Sequence, residues 1–108
     1  MQSDDDVLAS LVKYGSDLSK PHFLEYYFYF PDWLRATHAK IALEECGLTI
    51  VRESSNAHGE NVLVLAALSL VPQRQAVIEL SQKLESLATK FSGECGGWET
   101  AIVRSVNA

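Results

Sequence analysis

The thiol of Cys95, within the stretch SGECGGWET (residues 92–100), is the first group in this chain that could do covalent chemistry. A nucleophilic thiol needs its pKa lowered by a helix N-terminus, a cation or a base. Cys95 instead follows a long helical pattern, so it meets the negative end of that helix, and Glu94 adjoins it. It reads as an unreactive loop thiol. His22, His38 and His58 fall at a strand start, in mid-helix and in a polar loop. A general base needs an orienting partner and a nearby substrate, and no such constellation is visible. Cys46 and Cys95 lack the CxxC or CxxxxH spacing of a zinc site, and a reducing compartment would keep both as thiols. No catalytic residue, metal site or cofactor is therefore expected.

The acids and aromatics carry more. Asp4-Asp5-Asp6 follows Ser3, and this is helix-start chemistry: a serine cap with negative charge on the positive end of the dipole. An acidic tip for a basic partner is the second reading. Glu44 and Glu45 stand near a helix C-terminus, the unfavourable end for acids, which hints at a role beyond local stability. The aromatic residues are concentrated in HFLEYYFYF, residues 22–30.

These groups need elements to position them. The pattern at residues 4–14 predicts an amphipathic helix with Val7, Leu8, Leu11 and Val12 on one face and Gly15 as its stop. Residues 22–30 alternate as a strand, with Leu24, Tyr26, Phe28 and Phe30 toward the core and Phe23, Glu25, Tyr27 and Tyr29 on the other face. Asp32 caps a second helix through Ala36, Ala39, Leu43 and Cys46, ended by Gly47. Residues 48–51 read as a strand, 53–61 as a polar turn, and the apolar run 62–70 as a buried strand. Pro72 suits the first turn of a third helix, whose stripe is Val77, Leu80, Leu84, Leu87 and Phe91. Ser92 and Gly93 stop it, and a last strand runs from Gly97 to about Arg104.

The expected fold is α+β: a ferredoxin-like βαββαβ sandwich over residues 1–108 as a single domain. Its four-stranded antiparallel sheet carries two helices on one face, with an additional N-terminal helix. The length of 108 residues fits one domain. No apolar run approaches the ~20 residues that span a bilayer, and the acidic N-terminus is unlike a secretory signal, so a cytoplasmic protein is expected. With 14 acids against 9 Lys and Arg, the net charge is −5. No basic stripe for nucleic-acid phosphates is present, and basic protein segments are the more natural partners. Aromatics on an open sheet face could stack bases, but Glu25 and Glu99 flank them here, which suits a protein-binding surface better.

Three stretches, HFLEYYFYF with the following ALEECGLTIV, VLVLAALSLVP, and LESLATKFSGECGGWET, carry a family likeness. The chain resembles the regulator of ribonuclease E activity B family, or ribonuclease E inhibitor family, over about residues 5–103. The third stretch is similar to that family's Gly/Glu-Tyr-Asp-Gly-Trp signature. Glu94, Gly97 and Trp98 match it, whereas Cys95 replaces the usual Tyr and Gly96 the usual Asp. The better-known members end in a long acidic tail, and this chain stops at Ala108 after a neutral end. The resemblance implies a ferredoxin-like fold and a non-enzymatic protein that binds the nuclease and modulates RNA decay. The expected partner-binding residues are Trp98, Glu94, Gly97, Tyr27, Tyr29 and Glu25. The alternatives are a homodimer formed sheet to sheet, a small ligand-binding domain, and last a cysteine-dependent enzyme.

Overall fold

The computed structural model describes residues 3–104. Ser3 opens helix α1 (Asp4–Lys13) with a capping box: its Oγ accepts from the Asp6 amide at 3.1 Å, and the Asp6 carboxylate accepts from the Ser3 amide. The chain continues through β1 (His22–Asp32), α2 (Trp33–Glu45), β2 (Thr49–Ser54), β3 (Glu60–Leu70), α3 (Arg74–Lys90) and β4 (Glu94–Glu99). The antiparallel sheet has the order β2-β3-β1-β4, the ferredoxin-like arrangement expected. The long central strands β1 and β3 pair from His22↔Leu70 to Asp32↔Glu60. Pro31 lies beyond the last β1–β4 pair, Tyr29↔Glu94, so its missing N–H removes no bond on that side.

The period-two alternation of β1 sorts its side chains as expected. Leu24, Tyr26, Phe28 and Phe30 are buried together with Val62, Val64 and Ala66 of β3. The rings of Phe30, Phe28, Tyr26 and Trp98 form one row, with successive centroids 6.4, 6.3 and 6.2 Å apart. Above this row lie Val7, Leu8 and Leu11 of α1, Ala36, Ala39 and Leu43 of α2, and Val77, Leu84 and Ala88 of α3. The two alanines let α2 settle close to the sheet. Asp32 caps α2 by accepting from the Arg35 amide at 2.8 Å, and an ion pair from Lys40 to Glu53 ties α2 to β2.

Several boundaries depart from the sequence-based expectation. Strand β2 runs on to Ser54, and β3 begins at Glu60, because Asn56 builds the connecting turn: its Oδ1 accepts from the amides of His58 and Glu60. Pro72 is buried ahead of α3 rather than in its first turn, and Gln73 occupies the cap position without a side-chain bond. Val12, expected on the apolar face of α1, is exposed. The largest shift is in β4. Glu94 to Gly96 are already strand, and residues 101–104 are not.

The helix stop before β4 is also built differently. Ser92 takes the left-handed conformation, with φ of 62°. Gly93 is required by close approach instead: a Cβ there would stand 2.4 Å from Cδ1 of Phe30 and 2.6 Å from the Tyr29 carbonyl oxygen. Gly97, with φ of 104°, sits where the β1–β4 register shifts between Tyr26 and Phe28, a bulge conformation that glycine adopts without strain.

Candidate protein-binding face

Residues directly opposite in an antiparallel pair project from the same face, so the register assembles the face away from the helices. Phe23, Glu25, Tyr27 and Tyr29 of β1 align with Ser69, Ala67, Leu65 and Leu63 of β3. Arg52 of β2 pairs with Leu65, and Glu99 and Glu94 of β4 pair with Glu25 and Tyr29. Four of the six sequence-predicted residues (Glu25, Tyr27, Tyr29 and Glu94) are therefore brought onto one surface. Phe23 and Tyr29 are large and exposed, Tyr29 at 44%. Gly96 leaves room for the Tyr29 ring, whose Cε2 would stand only 2.8 Å from an added Cβ.

The charges on this face are mainly negative: Glu25, Glu94 and Glu99 against Arg52. Tyr27 donates its phenolic hydrogen to Oε1 of Glu99. That bond, with partial burial and the negative charges of Glu99 and Glu25, raises the Tyr27 pKa above the usual phenol value. Tyr27 is thereby a fixed, neutral ring held by an acid. Beside Tyr29 a cavity of about 220 Å³ opens between Pro31, Asn61, Ser92 and Glu94. Its one charged lining group, Glu94, is acidic.

Trp98 and Gly97 lie apart from these four. The Trp98 side chain points to the helix side, opposite Tyr26, and is only 7% exposed. Its Nε1–H donates to Oδ1 of Asp4 at 2.9 Å. Ser81 donates to the same oxygen at 3.0 Å and lies 2.9 Å from the Tyr26 hydroxyl, which must therefore donate to it. A chain of hydrogen bonds thus joins β1, α3, α1 and β4 around one carboxylate oxygen. It borders a cavity of about 310 Å³, lined also by Ser3, Glu85, Cys95 and Gly97. Burial raises the Tyr26 pKa strongly.

The acidic triplet resolves into three separate tasks. Asp4 anchors Trp98 and Ser81, Asp5 pairs with Arg74 at 2.7 Å, and Asp6 completes the capping box. The Arg74 hydrogen bond holds the Asp5 carboxyl below its ordinary pKa. The role of Asp4 was not foreseen from sequence, nor was that of Ser81. A polar residue between Val77 and Leu84 on the apolar stripe of α3 was the available signal.

Cys95 faces the helix side opposite Phe28. Burial first, and the charges of Glu85 and Asp4 next, raise its pKa above that of a free thiol. Cys46 is also free. His22 is buried at 1% exposure. Its Nδ1 lies 2.8 Å from the Lys20 carbonyl, which can only accept, so Nδ1 carries the hydrogen. Nε2 is 2.6 Å from Ser16 Oγ, which in turn accepts from the Val103 amide. This cluster fastens residues 101–104 to the α1–β1 connection. Among the described residues, no group of three His, Cys, Asp or Glu could hold a metal ion, and no helix is long and apolar enough to cross a membrane.

Comparison with known proteins adds one result. The family model described as regulator of ribonuclease activity B matches residues 1–100. A search of curated proteins returns no match.

Proposed function

The chain belongs to the regulator of ribonuclease activity B family, and from that premise we propose that it is a non-enzymatic inhibitor of ribonuclease E that modulates RNA decay in the cytoplasm. It acts as a single domain, and it binds the nuclease through the open sheet face. Glu25, Tyr27, Tyr29 and Glu94 make the contacts, and Trp98 and Gly97 shape the strand that carries Glu94. The observation that supports this reading is the acid-flanked aromatic surface, with Tyr29 exposed and Tyr27 fixed by Glu99. Rigid tyrosine rings bury large area at low entropic cost and are enriched among binding hot spots. The acids add complementarity to a basic segment and speed encounter. The raised pKa of Cys95 and the enclosure of His22 fit a protein that works by binding.

The test is a titration of immobilised chain with ribonuclease E, with cleavage of a substrate RNA measured alongside. Tyr29→Ala is expected to cost about 2 kcal/mol of binding. Glu94→Lys is expected to slow association, most at low salt. Both positions are exposed, so near-ultraviolet circular dichroism from Trp98 stays unchanged. Binding by both variants at wild-type strength would place the contact elsewhere on the molecule. Failure of the wild-type chain to bind would remove ribonuclease E as the target.

A further inference from the structure

Among the described residues, two other than glycine hold a left-handed backbone, Asn61 with φ of 51° and Ser92 with φ of 62°. Both line the cavity of about 220 Å³ beside Tyr29. Asn61 turns where β3 faces Pro31, between the pairs Phe30↔Val62 and Asp32↔Glu60. Ser92 closes α3. Its amide donates to the Thr89 carbonyl at 3.0 Å, and the Gly93 amide donates to the Ala88 carbonyl at 2.8 Å, a stop whose left-handed position glycine usually fills. Glycine would hold either backbone at the least cost. Each position instead carries a polar side chain. Neither of these side chains, nor the carboxylate of Glu94 between them and Tyr29, bonds to another described residue. Residues held in rarely populated conformations gather at ligand clamps, and here two of them meet at one cavity.

We infer that this cavity receives the guanidinium group of an arginine from the partner. The inference rests on the open sheet face as the binding surface and names the residue that enters it. The lining offers acceptors: the two carboxylate oxygens of Glu94, Oγ of Ser92, and Oδ1 of Asn61, whose amide no bond within the chain holds. A guanidinium presents five donors in one plane and no acceptor. A carboxylate takes it at two points, which leaves N–H groups for the hydroxyl and amide oxygens. Its flat face stacks on the ring of Tyr29, exposed at the cavity wall. A lysine ammonium is a compact, strongly hydrated charge without that plane, and a glutamine lacks the charge that Glu94 offsets. No basic residue lines the cavity, so the entering cation meets no repulsion there. The cavity is open to solvent, so one arginine alone binds weakly and strengthens an interface built by the rest of the face.

Titration of the isotope-labelled full chain with N-acetyl-arginine amide, followed by NMR at constant ionic strength, tests this. N-acetyl-citrulline amide, of the same shape without the charge, and N-acetyl-lysine amide are the comparison probes. Saturable shifts are expected at Asn61, Ser92 and Glu94, with a dissociation constant for arginine of about a millimolar. Binding is expected to be about tenfold weaker for citrulline and about threefold weaker for lysine. Glu94→Gln is expected to weaken the arginine probe about tenfold. Asn61→Gly and Ser92→Gly are each expected to weaken it about twofold to fivefold, with an unchanged circular dichroism spectrum because glycine fits a left-handed backbone. The absence of saturable shifts at these residues overturns the proposal. So does equal binding of citrulline or lysine, or wild-type affinity in both glycine variants. The probes contain no nuclease, so that result leaves the binding of ribonuclease E to its own titration. A chain that takes the arginine probe but not ribonuclease E keeps the cavity and loses that target.

Discussion

Replacing Asp4 with alanine tests the polar network under Trp98 most directly. The carboxylate oxygen accepts from the indole N–H at 2.9 Å and from the Ser81 hydroxyl at 3.0 Å. Hydrogen bonds to a charged group contribute roughly 1.5–3 kcal/mol each. The two share one acceptor and the cavity beside them admits water, so their loss is not additive. The expected destabilisation is about 2–4 kcal/mol, or roughly 10–20 °C in Tm for a domain of this size. Asp4→Asn, which keeps an acceptor without charge, is expected to lose about half as much. Urea unfolding followed by Trp98 fluorescence, in a Trp33→Phe background, reads the effect. Asp5→Ala serves as the comparison, because it removes an exposed ion pair to Arg74 and leaves no buried donor unsatisfied. The reasoning fails if Asp4→Ala is no more damaging than Asp5→Ala, or if it unfolds with the wild-type midpoint.

Gly93→Ala is expected to destabilise by about 1–3 kcal/mol, because Phe30 and the Tyr29 carbonyl occupy the space of the new methyl group; thermal unfolding measures this. Cys95, isolated by Cys46→Ser, is expected to react with a slow alkylator more slowly than a free cysteine at neutral pH, with its rate rising only well into the alkaline range. The Asp32 pKa is lowered, first by the Arg35 amide bond, so that cap adds stability above the ordinary carboxylate range and loses it as pH falls through the folded value. Asp32→Ala should therefore lower Tm at neutral pH, and the gap from wild type should close in acid. Tyr27 holds its proton for Glu99, so the stability of that contact is present below the ordinary phenol pKa and is lost as pH rises through the raised value. In Glu99→Gln, spectrophotometric titration is expected to show one tyrosine ionising earlier.

How far the fold could be read in advance depended on period and composition. The alternation of residues 22–30 separated core from open face residue by residue, and it placed Glu25, Tyr27 and Tyr29 on the side where they stand. Helices α1 to α3 followed from their apolar stripes, and α1 and α2 also from the glycines Gly15 and Gly47 that stop them. β4 was harder. Its glycines look like a joint when only local propensity is considered, yet Gly93 and Gly96 answer to the rings of Phe30 and Tyr29, contacts more than sixty residues away in sequence. For the same reason Trp98 could not be assigned to core or surface beforehand. Its position is decided by Asp4 and Tyr26, neither of which is local to it. The partner surface was legible as residue types, and its assembly needed the register.

The bond between Asp4 and Trp98 also carries a consequence for synthesis. It joins residues 94 apart, nearly the whole span of the chain. The first helix is made early, but its anchor exists only after the last strand has left the ribosome. Until then α1 rests on α3 alone, through the bonds of Ser81 to Asp4 and of Arg74 to Asp5, without its indole partner. If that link closes after the main barrier, removing it will quicken unfolding and leave the folding rate nearly unchanged. Asp4 then acts as a late latch, setting how long a finished molecule lasts rather than how quickly one is made.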